Sequence, residues 1–163
     1  MNLVSLSENK EIEKRLAITP EISKKYIDLG LNIFLPNNYG SHLGFDDDEY
    51  KNLGVNFLRS DKEIIDNADL IVQLGMLDDD KLSLIKENQT LIGSLNYFSN
   101  KEKMVSLKSK KINCFSLEML PRITRAQSMD ILSSQANLAG YKAVIEAFQV
   151  YERAIPMMMT AAG

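Results

Sequence analysis

The chain has 163 residues, enough for one domain and hardly for two. Its 45% apolar and 25% charged residues are those of an ordinary globular fold, and a net charge of −3 with no basic block argues against nucleic acid as a partner. With Cys114 the only cysteine and His42 the only histidine, an intrachain disulfide and a multi-histidine metal centre are both excluded, and no metal site is expected.

The first residues, MNLVSLSENKEIEKRLAITP, carry acids where a signal peptide needs an apolar stretch. No apolar run approaches the ~20 residues of a membrane span, so no direct membrane insertion is expected. Residues 3–5 read as a first strand. Thr19-Pro20-Glu21 is a helix start, with Thr as cap, Pro at the first helical position and Glu in the first turn. That helix runs to Gly30. Residues 32–35 read as a strand, and 36–44 as a loop rich in Asn, Gly and Ser. A helix is expected over 46–53, a strand over 55–58, and a short helix over 61–67. The apolar DLIVQL, 69–74, reads as a buried strand. Asp78-Asp79-Asp80 suits a helix start and not a cation site; that helix runs to Lys86. A strand at 90–95, a lysine-rich helix at 100–109 and a strand at 111–116 follow. The final helix begins at Gln127 or Asp130 and continues to about Tyr151.

Such alternation predicts an α/β fold: a mostly parallel, doubly wound, Rossmann- or flavodoxin-like sheet with helices on both faces and a long C-terminal helix. In such sheets ligands bind beyond the carboxyl ends of the strands, which is where residues 118–130 fall. Ala136, Ala139, Gly140, Ala143 and Ala147 share one face of the last helix and would admit a close neighbour. Either the domain's own sheet or another element could fill that role.

The segment PRITRAQSMDILSS concentrates hydrogen-bonding side chains ahead of this helix. Asp130 is an acceptor suited to ribose hydroxyls, and Gln127 both donates and accepts, matching a carboxamide. Arg122 and Arg125 offer forked donors, and Ser133 and Ser134 add hydroxyls. The set could grip the sugar and ring of a nucleotide, or it could be a capping cluster with Asp130 paired to an arginine. His42, in the loop NNYGSHLGF, reads as solvated.

The segment MLPRITRAQSMDILSSQANLAGYKAV, with PMMMTAAG at the end, resembles the NAD(H)-binding alpha subunit of proton-translocating NAD(P) transhydrogenase. The opening ENKEIEKRLAITPEISKKYIDLGLNIFL is similar to the wider alanine dehydrogenase and pyridine nucleotide transhydrogenase family. The resemblance spans essentially the whole chain and makes it an N-terminal domain of that family. It implies that Arg122, Gln127 and Asp130, with Ser133 nearby, contact the nicotinamide end of NAD(H), Gln127 lying between the two nucleotides during transfer. It implies NADP(H) on a partner subunit, a homodimer, a membrane subunit, and a cytoplasmic position peripheral to the inner membrane.

The dehydrogenase branch uses a lysine and a histidine in this domain, and Gly75 and Ser94 stand in those places here. Passing a hydride between two nicotinamides needs no acid or base, only rings held ~3–3.5 Å apart. Amino-acid oxidation needs a base near neutrality. Arg15 matches a substrate-carboxylate arginine of that branch, and is expected to be structural, paired with Glu8, Glu11 or Glu13. The second, dinucleotide-binding domain of the family, with its Gly-rich phosphate turn, has no counterpart in this sequence. The expected role is thus that of one domain of a transhydrogenase alpha subunit, inactive alone. The alternatives are a non-catalytic dimerising module and an alanine dehydrogenase fragment.

Overall fold

A computed structural model describes residues 1–153, so the Met157-Met158-Met159 run and the PMMMTAAG tail lie outside the described residues. Two compact units divide the chain, Met1–Pro121 and Arg122–Gly163.

In the first unit, β1 (Asn2–Val4), α1 (Pro20–Asp28), β2 (Asn32–Pro36), α2 (Asp47–Asn52), β3 (Asn56–Leu58) and α3 (Asp61–Asp66) alternate in turn. They are followed by β4 (Leu70–Val72), α4 (Asp79–Leu84), β5 (Thr90–Gly93), α5 (Lys101–Ser109) and β6 (Asn113–Ser116). The strands form one six-stranded sheet in the order β3-β2-β1-β4-β5-β6. Every pairing is parallel. This is the expected α/β class. The expected loop at 36–44 contains a short 3-10 turn, Ser41–Leu43.

Local chemistry starts the helices. Thr19 accepts from the Ile22 amide at 3.4 Å with Pro20 in the first turn, and Ser60 accepts from Glu63 N at 3.3 Å. Asp78 accepts from Lys81 N at 3.0 Å, which makes the aspartate run a helix start. Each such cap satisfies an amide that the helix cannot.

The two faces of the sheet carry two apolar clusters, because neighbouring strand residues point opposite ways. Leu3, Ile33 and Leu35 pack with Ile18, Tyr39, Tyr50 and Val55, under α1 and α2. Val4, Ile71 and Leu91 pack with Ile64, Ile65, Leu82, Ile85 and Leu107, from α3, α4 and α5. A side chain sequestered this fully contributes about 1.5–3 kcal/mol each. β6 closes one side of the sheet and buries none of its own residues.

Gly93, ending β5, marks the tightest approach between strands. A Cβ there would lie 2.4 Å from the carbonyl oxygen of Gln73 on β4. Backbone cannot yield as a flexible side chain does, so Gly93→Ala is expected to destabilise the fold by about 1–3 kcal/mol. A lowered urea midpoint with unchanged slope is the check.

The second unit holds a 3-10 turn, Thr124–Met129, and α6, Ile131–Val150. Of the two starts the sequence allows, Asp130 is the N-cap, while Gln127 belongs to the turn before it. None of the residues of α6 is buried.

Candidate functional site

Strand order reverses between β1 and β4, since β2 and β3 lie to one side and β5 and β6 to the other. Crossovers leave in opposite directions here and open a crevice beyond the carboxyl ends. Gln73, just past β4, fills its floor. Its amide oxygen accepts from Leu6 N at 2.7 Å and Ser5 Oγ at 3.0 Å, both just past β1. Its nitrogen donates to Glu8 Oε1 at 3.2 Å. Since the one Ser5 proton is directed at Gln73, Tyr39 donates to Ser5 across 2.8 Å, and Tyr39 in turn accepts from Ile18 N at 3.3 Å. Burial pushes the Tyr39 hydroxyl up to about 12, so it keeps its proton.

Glu8 spans the crevice and accepts from Leu74 N at 2.8 Å. Burial raises its carboxyl above the usual 4.5, against the Leu74 and Gly75 amides that favour the ionised form; Glu13 adds to the rise and Lys81 opposes it. Neither Glu8 nor Gln73 is picked out as a site residue by sequence reasoning. The available signal is a lone glutamine in an otherwise apolar strand, DLIVQL.

Arg15 is held by Glu13. Its Nε donates to Glu13 Oε1 at 2.8 Å, its backbone amide to the same oxygen at 2.9 Å, and its terminal nitrogen reaches Oε2 at 2.5 Å. Of the three carboxylates expected to partner it, Glu13 does so. Gly75 and Ser94 sit past β4 and β5. A Cβ built on Gly75 meets nothing within 4 Å, so packing does not forbid a longer side chain there. His42 departs from a purely solvated histidine: its Nε2 donates to Lys14 O at 2.8 Å and ties its loop to the segment that carries Arg15.

Past β6, Glu118 accepts from Ser116 Oγ at 2.5 Å and from Leu95 N and Tyr97 N at 3.2 Å each. Burial would raise this carboxyl, but the hydroxyl and amide donors outweigh it and hold it below 4.5. Glu118 therefore fixes the loop after β5 against the segment leaving β6.

In the second unit the structure brings Asp130 and Ser133 together. Asp130 accepts from Ser133 N at 3.0 Å through one oxygen and from Ser133 Oγ at 2.6 Å through the other. Those bonds, the Ser133 hydroxyl first, lower the Asp130 carboxyl below its usual value, with Arg122 contributing through its charge. Asp130 and Arg122 make no ion pair within 4 Å among the described residues. Arg122 and Gln127 are exposed, and neither side chain has a hydrogen bond among the described residues. Ser134 hydroxyl donates back to Ile131 O at 3.1 Å and serves the helix itself.

The alanine dehydrogenase/PNT N-terminal domain family matches residues 5–139 of this chain. The chain belongs to that family. The first of the polypeptides that make up the NAD(P) transhydrogenase alpha subunit in Rickettsia prowazekii is 41% identical over 100% of this chain and 44% of its own length. The protein of the same description from Rhodospirillum rubrum is 39% identical with the same coverage. The crystal structure of transhydrogenase from Sinorhizobium meliloti superposes with a TM-score of 0.85 at 36% identity, over 98% of this chain and 48% of that one. This N-terminal domain thus spans under half the length of these relatives.

The family's crevice, as this chain builds it, holds one part-buried acid whose protonation depends on folding. The folded state keeps the Glu8 proton more tightly than the unfolded chain does. Stability is therefore expected to fall as pH rises from 4.5 through the raised folded value. Glu8→Gln, which keeps an acceptor for Leu74 N, should flatten that fall. Denaturation midpoints across the interval, for both proteins, provide the measurement.

Proposed function

We propose that this domain belongs to an NAD(P) transhydrogenase alpha subunit, and that it positions the nicotinamide end of NAD(H) for direct hydride transfer to NADP on a partner subunit. The observation that carries this reading is the segment 122–133. Asp130 and Ser133 lock the helix start, while the Gln127 carboxamide and the Arg122 guanidinium make no side-chain hydrogen bond among the described residues. A set prepared only for capping would engage those groups. Their chemistry fits the nicotinamide end: Gln127 both donates and accepts toward a carboxamide, and Arg122 donates to its oxygen. The Asp130 oxygens keep further lone pairs for ribose hydroxyls.

When bound, the coenzyme supplies the hydride. The chain's own contribution is orientation, for which neither a base nor an acid is needed. The crevice agrees with this. Arg15 is engaged by Glu13 rather than offered to a substrate carboxylate, and Gly75 and Ser94 carry no base. These features speak against the alanine dehydrogenase alternative. The phosphate-binding half of the grip would come from the second domain of the family. In the full complex, transfer is coupled to proton movement through a membrane subunit, and this domain sits on the cytoplasmic side, held there by its partners. Among the described residues no helix is long and apolar enough to cross a membrane. A homodimer is part of this reading. It draws support from Tyr141, Ile145 and Phe148, exposed at i, i+4 and i+7 on α6. The same stripe also suits the alternative of a non-catalytic dimerising module.

Coexpression of the chain with the remainder of the subunit and its partners, followed by transhydrogenation on membranes, tests the proposal. Gln127→Ala is expected to slow turnover by about 10²-fold with an unchanged melting temperature, since its side chain holds nothing in the fold. Asp130→Ala should lower both, because it removes the cap of α6. Turnover untouched by Gln127→Ala, Arg122→Ala and Asp130→Ala together would leave the module reading.

The chain alone is expected to bind NADH weakly or not measurably by calorimetry. Micromolar affinity would contradict the division of the grip between two domains.

A further inference from the structure

β6 is the outermost strand, and its free side is chemically specific. Asn113 N–H donates to Gln89 O at 3.0 Å, so Asn113 faces β5. Backbone groups alternate along a parallel strand, so Cys114 and Ser116 turn their N–H and C=O groups away from the sheet. Such edges are commonly guarded by lysine, proline or a bulge. This one reads Asn-Cys-Phe-Ser and has none of the three.

Alongside the edge runs a groove of about 840 Å³ between α5 and β6, floored by Met104, Val105 and Ile112. Lys101, Lys108 and Lys111 line it, and no carboxylate does among the described residues, although the chain as a whole is acidic. Lys111 is paired with Glu87 at 2.7 Å. The lysines of α5 that point elsewhere are also engaged, Lys103 with Asp79 at 3.3 Å and with Leu77 O at 3.0 Å. Lys110, the residue after α5, donates to the Leu82 and Ser83 carbonyls at 2.9 and 3.0 Å. Lys101 and Lys108 have no such partner among the described residues. Seven residues apart, they stand on one helix face about 10 Å from each other.

We propose that this groove takes an extended acidic peptide segment, which adds to the β6 edge through Cys114 and Ser116 and sets its carboxylates against Lys101 and Lys108. The recognition is strand addition: main-chain bonds supply affinity, and alternate side chains supply selectivity. An extended chain places same-face residues about 6.6 Å apart, so alternating acids bring a carboxylate within reach of each lysine. Apolar residues between them would turn to the opposite face.

The test uses the chain as it stands and a fluorescein-labelled, terminally blocked peptide of four Val-Glu repeats, with four Val-Lys repeats as the control. Fluorescence anisotropy should show the acidic peptide bound at least about tenfold more tightly than the basic one. Lys101→Glu with Lys108→Glu should reverse that preference. Cys114→Pro removes one outward N–H at a position where edge strands tolerate proline, and should weaken binding by at least about tenfold. Circular dichroism checks the fold of each variant. Amide exchange on the unmutated chain gives an independent reading, with protection at Cys114 and Ser116 when the acidic peptide is added. Equal binding of the two peptides would overturn the proposal, as would a bound acidic peptide that leaves those amides unprotected. Self-association of the chain that Cys114→Pro abolishes would overturn it too, by giving the edge to a second copy.

Discussion

One buried amide holds the crevice of the sheet together. Gln73 lies where the crossovers from β1 and β4 part company, and sequence-distant segments meet on its side chain: the end of β1, the Glu8 loop and, through Ser5, Tyr39. A buried polar group is costly unless its bonding is satisfied, and here both atoms of the amide have partners. The same side chain therefore fixes the spacing of two strand ends and the path of the loop that crosses them. The network extends to the Arg15 segment through Glu8 and Glu13, and to the His42 loop through Lys14.

The two units divide their labour. The sheet unit builds a rigid crevice whose titratable groups are paired or raised toward neutrality. The second unit displays an amide and a guanidinium on a short turn that a carboxylate and a serine pin to the helix start. Orientation chemistry needs donors fixed in place more than it needs shifted proton affinities, and the strongly shifted hydroxyl of Tyr39 is structural.

Much of this was legible in the residues. Pattern and capping located every strand and helix, since Thr19, Ser60, Asp78 and Asp130 each do what their type predicts. Boundaries shifted by a few residues, as at β1 and at the turn 124–129, because the last bonds of an element depend on neighbours rather than on propensity. The pairing of Asp130 with Ser133 rather than with an arginine turned on a three-residue helical spacing that competes well with a flexible guanidinium. The Gln73 network was out of reach. Its members are spread from Ser5 to Gln73, and no local periodicity links them. His42 likewise found a partner 28 positions away that its loop gave no sign of.

The open space beside Gly75 bears on how one scaffold serves two chemistries. The backbone there already has room for a long cationic side chain, and the arginine that would face a carboxylate is present but latched to its neighbour. On this framework, amine oxidation and hydride relay differ by a handful of side chains and by one latch, with no strand moved. Divergence between the branches can therefore proceed by point replacement, each intermediate sequence keeping the same folded core.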